Sequence, residues 1–400
     1  MKWHREEIFV LCIFLFALFV RIRFAMPALM GTQGFIVSDE REYYSLAISL
    51  LQTGRLDGNG TVAYRMPFYP MVLAANYALL GRAPEAATPF NVILSALTCV
   101  GVYLLGKAWF SARVGLLAAC ISSLDVSLIV YSRVLLTETL FVFLVLCGLL
   151  ALERLRQTQR WQWAMIAGLL AGLATLTRVN FALFVPCAVG WLVLDARSKR
   201  RVMFRNAIIV VLLVGATWTA WIVRNYAELG AFVPLTTQGG AAYAGVYNDI
   251  AANPAQGYEY GAWVEIIPHP PESPGKEWNE VALDQWQKET AATWIRIHPA
   301  QAVVVALMQI SHLWLPHLEF EYFLVPFLLF AGAIGFGRAL RQGNRSVILF
   351  AILALVLTIM AVTAIAVPRF KLPVHPGLTV LAAFAILTSW EKIILKWRRV

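Results

Sequence analysis

The chain has 400 residues, of which 60% are hydrophobic and 14% charged, with a mean hydropathy of +0.67. This excludes a water-soluble globule, which needs more polar surface than these residues supply, and predicts an all-α polytopic membrane protein. The net charge of +10 would suit a nucleic-acid partner only if it gathered in a soluble region, and it does not.

In chain order, Ile8 to Met26 follows a basic start, is long enough to span and is followed by no small-residue cleavage site, so it is expected to be a retained signal anchor. A polar region follows over 28–86. Within it Arg41 to Thr53 has Tyr44, Ala47, Ile48 and Leu51 at helical spacing and stops at Gly54, and Pro67 to Leu80 repeats the pattern before Gly81. Two short juxtamembrane helices are predicted there. Taken with 8–27, apolar segments near 87–108, 114–131, 135–152, 162–178, 180–195, 206–223, 322–338, 346–367 and 373–390 predict ten spans. A second polar region begins at 224, carries PHPPESPGKEW in its middle, and continues in an amphipathic helix from Trp278 to Ile297. Ala300 to Leu315 is apolar but holds His312; it is read as an interfacial helix, with an eleventh span as the fallback. The organisation expected is a seven-span membrane module over 1–223, a second outer loop over 224–321 and a three-span bundle over 322–400.

With the N-terminus inside, the short connections at 1–7, 107–113, 153–160, 195–205, 338–345 and 391–400 carry 19 Lys and Arg against five Asp and Glu. The rest of the chain has 14 basic and 18 acidic residues. The positive charge therefore marks the cytoplasmic face and not a nucleic-acid site. Placing Ala300 to Leu315 across the membrane would reverse this rule for the last two basic segments. Cys12, Cys99, Cys120, Cys147 and Cys187 all sit in apolar runs, so they read as packing residues.

The chemistry-bearing residues gather on the opposite, outer face. Asp39 and Glu40 come just after the first span, where a carboxylate can serve as general base or hold a divalent cation. The plainer alternative is a helix start, with Ser38 or Asp39 as N-cap. Arg65, Arg133, Arg178, Arg224, Arg369 and Lys371 fall at outer helix ends, where such cations suit a lipid-linked phosphate, although each alone could be snorkelling to headgroups. Glu138 is either a second acid of the site or a partner for Arg133. His269, His298, His312, His317 and His375 have no zinc-hydrolase spacing, and His312, His317, Glu319 and Glu321 form a weaker metal candidate. No Gly-rich nucleotide loop is present.

The run from Asp39-Glu40 through Tyr43, Leu46-Ala47 and Leu50 to Gly54, with Arg65-Met66-Pro67-Phe68-Tyr69-Pro70 and Gly81, resembles the first outer loop of the C-type integral-membrane glycosyltransferases. The likeness is to the bacterial branch related to protein O-mannosyltransferases and lipid A aminoarabinose transferases. Tyr131-Ser132-Arg133 with Thr137-Glu138-Thr139-Leu140-Phe141, Arg224-Asn225-Tyr226, and Pro368-Arg369-Phe370-Lys371-Leu372-Pro373-Val374 follow in the expected order. The resemblance implies inverting transfer of a sugar from a polyprenyl-phosphate carrier to a lipid, glycan or protein acceptor, on the extracytoplasmic face of a plasma membrane. It implies Asp39 as base or metal-linked carboxylate, Glu40 as its neighbour and Glu138 as the acid of the second outer loop. Arg369 and Lys371 would lie near the phosphate, and the expected cofactor is a divalent cation at Asp39 and Glu138. Asp125 departs from the pattern, since relatives often have proline there. The alternatives are a transporter or flippase of lipid-linked saccharides, and a lipid-linked glycan polymerase or ligase.

Overall fold

The structure, a computed structural model, describes residues 3–58, 60–196, 199–253, 259–264, 279–316 and 318–397; His269, His317 and the Pro-rich run at 268–278 lie outside them. Among the described residues the elements are helical. They are α1 (Trp3–Leu29), α2 (Ser38–Thr53), α3 (Phe68–Leu80), α4 (Thr88–Trp109), α5 (Ala112–Ser123), α6 (Val126–Tyr131), α7 (Glu138–Thr158) and α8 (Trp161–Thr177). There follow α9 (Phe184–Asp195), α10 (Arg200–Leu229), α11 (Gly239–Ala244), α12 (Glu280–Ile297), α13 (Pro299–Trp314), α14 (Leu324–Arg341), α15 (Val347–Thr363) and α16 (His375–Trp397).

The apolar periodicity that predicts these helices also determines which faces remain uncovered. On α1, Phe9, Leu15 and Phe19 are exposed, as are Leu212 and Val223 on α10. In a membrane chain this surface faces lipid, so no penalty attaches to it. Inside, α4 packs against α1, α5 and α7, α7 against α8, α8 against α10, and α16 against α14 and α5. Small residues allow the closest approach: a Cβ added to Gly172 of α8 would collide with Thr217 Oγ1 of α10.

The segment expected as one span at 114–131 is broken instead. Asp125 ends α5 and caps α6, accepting from Ser127 N at 3.0 Å and Leu128 N at 3.3 Å. The carbonyls of Ser122 and Ser123 at the end of α5 accept from the buried Arg21 of α1 at 3.4 and 3.2 Å. A break at membrane depth is tolerated because side chains satisfy the backbone groups it releases. The remaining expected segments fall on helices, but among the described residues five regions are long and apolar enough to cross a membrane: Glu6–Leu29, Pro84–Trp109, Arg200–Leu229, Glu319–Arg341 and Pro368–Ile394. A sixth would be α12 with α13, which meet at a bend of 114°.

The two ends of the bundle differ. At one end Lys107 pairs with Glu6 at 2.7 Å, and Asp195 meets Arg156 at 3.6 Å and also Arg345. At the other end α11, α12 and α13 form a cover with its own core of Val246, Tyr247, Ala291, Trp294, Ala302 and Val305. Glu280 at the start of α12 hooks the cover to the first loop, accepting from Val62 N at 3.1 Å, Ala63 N at 3.3 Å and Thr237 Oγ1 at 3.1 Å.

Candidate active site

The site begins with how α2 is held. Glu40 is buried, and its carboxylate accepts from Ile36 N at 2.5 Å, Val37 N at 3.1 Å and Leu135 N at 2.9 Å. Two of these bonds close the start of α2, and the third ties it to the turn before α7. Asp39, one position earlier and about 100° around the helix, is turned to a different side. Tyr43 packs edge-on against Tyr69 of α3 with centroids 5.3 Å apart, which fixes α2 against α3 and brings Arg65 alongside. Arg65 donates to Asp39 Oδ1 at 2.7 Å and to Glu42 Oε2 at 2.7 Å.

Glu138 and Arg178 arrive from spans. Glu138 occupies the first turn of α7 and Arg178 the C-cap of α8, each where its charge favours the local helix dipole. Arg178 donates to Glu138 Oε1 at 2.7 Å and to Thr137 Oγ1 at 3.0 Å, while its guanidinium lies 4.1 Å from the Phe370 ring centroid. Arg369 enters from the 3-10 segment Pro368–Val374. Its Nη2 donates to Asp39 Oδ2, and its Nε lies 3.1 Å from Glu138 Oε1.

The result is an alternating row of charge: Glu42, Arg65, Asp39, Arg369, Glu138, Arg178. It crosses five separate stretches of chain and closes to zero net charge. Its inner members are shielded: the Asp39 side chain is 19% exposed and that of Glu138 3%. Burial pushes the Asp39 carboxyl up, but Arg65 and Arg369 together outweigh it and hold the group below its usual range. Burial pushes the Tyr43 and Tyr64 phenols up, so both stay protonated and neutral beside the row.

Cavities open on both sides of it. One of about 190 Å³ opens beside Arg65 and Glu42, walled by Leu46, Leu56, Tyr64 and Pro67. On the other side, among Glu138, Arg178, Arg369, Phe141, Leu357 and Phe370, the space is about 10 Å³, room for a single water at most.

Several residues expected at the site are placed elsewhere. Lys371 is buried in an ion pair with Glu321 at 2.8 Å, because two residues along the 3-10 segment its side chain leaves on a different side from that of Arg369. Arg224 donates to the carbonyls of Val62 and Leu56, the latter at 3.1 Å, and so braces the first loop. Arg133 lies over Phe24 of α1, 4.6 Å from the ring centroid, and it is Arg178 that pairs with Glu138. Glu40 spends its carboxylate on backbone. A divalent cation at Asp39 and Glu138 would have to displace Arg369 from between them, and among the described residues no group of three or more His, Cys, Asp or Glu could hold a metal. Sequence reasoning missed Glu42, which lies one helical turn beyond Asp39, and the buried Asp125–His375 pair at 2.8 Å. Arg21 and Asp125 did carry a signal, as charges inside apolar runs.

Residues 65–221 match the family model for dolichyl-phosphate-mannose-protein mannosyltransferase. ArnT from Cupriavidus metallidurans, solved bound to undecaprenyl phosphate, superposes on 98% of the chain with a TM-score of 0.57 and 15% identity. The chain carries the C-type glycosyltransferase fold. Archaeal oligosaccharyltransferase AglB from Archaeoglobus fulgidus, in complex with an inhibitory peptide and a dolichol-phosphate, also superposes on 98% of it with a TM-score of 0.60 and 11% identity. The chain spans 62% of the length of that ArnT and 52% of that AglB. No curated protein sequence matches it significantly. The family match begins at Arg65 and takes in Glu138 and Arg178, while Asp39 and Arg369 stand outside it and join the row through the fold.

Proposed function

We propose that this chain transfers a sugar from a polyprenyl-phosphate carrier to an acceptor hydroxyl or similar group, with inversion, at the outer face of the membrane. The observation that carries this reading is Asp39 held between Arg65 and Arg369, beside Glu138 and Arg178, at the bundle end opposite the basic connections. The basic bias of those connections supports an extracytoplasmic site in a plasma membrane.

The chemistry needs one base and a cationic leaving-group site. Asp39 takes the acceptor proton as the acceptor oxygen attacks the anomeric carbon. The bond from that carbon to the carrier's phosphate oxygen breaks, its electron pair stays on the phosphate, and the guanidiniums of Arg369 and Arg178 stabilise the charge. A phosphate leaves without an acid, and a single displacement inverts the centre. Glu40 acts as a positioning residue by fixing α2 against the turn before α7.

Purified protein incubated with a panel of polyprenyl-phosphate sugars, with and without chelator, should release polyprenyl phosphate detectable by mass spectrometry. Asp39→Asn should lower turnover by about 10²–10⁴-fold while the protein stays folded. Full activity in that variant sinks the base assignment, and absence of turnover with every donor shifts the reading to transport.

A further inference from the structure

Arg369 differs from the other two arginines of the row. Arg65 is held by Asp39 and Glu42, both on α2, and Arg178 by Glu138, Thr137 and the face of Phe370. Arg369 alone joins the α2 wall to the α7 wall, and its bond to Asp39 links residues 330 apart in sequence. Its Nε is buried and, although near Glu138, is not aligned for a hydrogen bond with any group. The space beside it, about 10 Å³, is too small for a phosphate group. A phosphate entering between Arg369 and Arg178 must therefore move a side chain, and of the arginines in the row it is Arg369 that holds a fully buried N–H without a hydrogen-bond partner.

We infer that Arg369 is an interlock: the donor phosphate and Asp39 compete for its guanidinium, so the base is released only when the donor is in place. This rests on the proposed function. When Arg369 turns to the phosphate, Asp39 loses its partner at Oδ2 but keeps Arg65 on Oδ1 at 2.7 Å. The carboxylate stays oriented while one oxygen becomes available to the acceptor proton. Before the donor arrives that oxygen stays engaged, which blocks acceptor activation, and the row closes again when polyprenyl phosphate leaves. The groups facing Asp39 through this exchange are Arg65 and Tyr64 from the loop before α3 and Tyr43 from α2, with Glu138 of α7 on the far side of Arg369.

The competition is measurable without catalysis, by calorimetric titration of the full chain in micelles with undecaprenyl phosphate. Because coupling is reciprocal, Asp39→Asn should bind the lipid phosphate about tenfold more tightly than the unsubstituted protein. In an Arg369→Ala background, or Arg369→Lys if the alanine variant does not fold, the same Asp39 substitution should change affinity less than about twofold. An unchanged affinity in Asp39→Asn overturns the interlock, as does equal tightening with and without Arg369, which would reduce the effect to general repulsion. Lack of binding by every form, the unsubstituted chain included, instead removes the donor assignment itself.

Discussion

Replacing Lys371 by Met decides whether that lysine is a phosphate ligand, as the sequence resemblance implies, or a structural group. Its ammonium and the Glu321 carboxylate are each 2% exposed and lie 2.8 Å apart, and the ammonium also donates to Leu315 O at 3.2 Å. Removing one partner of such a buried pair strips the other of its counter-charge, which costs about 3–5 kcal/mol. Replacing both by apolar groups, Lys371→Met with Glu321→Leu, removes the stranded charge, and most of that loss should be recovered. Unfolding of the micellar protein by added ionic detergent, followed by tryptophan fluorescence, gives the stabilities, and undecaprenyl phosphate titration gives the function. The double variant should lose less than about threefold in affinity, or roughly 0.7 kcal/mol. The reasoning fails if Lys371→Met costs under about 1 kcal/mol of stability while lipid-phosphate affinity collapses in single and double variants alike.

Two further outcomes concern the adjacent carboxylates at the start of α2. Glu40→Gln places an amide NH2 against at least one of three backbone donors, so stability should fall by about 1–3 kcal/mol and turnover should fall with it; lost turnover at undiminished stability would restore Glu40 to the chemistry. For Asp39 the folded carboxyl is held below its ordinary value, so its contribution is present above the unfolded pKa and lost as pH falls through the depressed one. The stability of the unsubstituted protein should therefore drop more steeply with acid than that of Asp39→Asn below roughly pH 4. Parallel acid-unfolding curves for the two would contradict the clamp.

Composition and periodicity were sufficient for the helices, because apolar spacing and stop residues act within a few positions: Gly54 ends α2 with a φ of 73°, as its place in the pattern suggests. The asymmetric distribution of Lys and Arg likewise showed which connections share one end of the bundle, since insertion reads loop charge locally. The break at Asp125 was not legible, because a lone carboxylate in an apolar run says nothing of the Arg21 and His375 that make it tolerable. Nor could neighbours in sequence be told apart. Asp39 and Glu40 look equivalent as letters, as do Arg369 and Lys371, yet the turn of a helix sends one of each pair to the row and the other into structural bonds. Only the packing of α2, α7, α8 and the 368–374 segment against one another decided which acids and arginines meet, because those partners lie up to 330 residues apart and no local rule relates them.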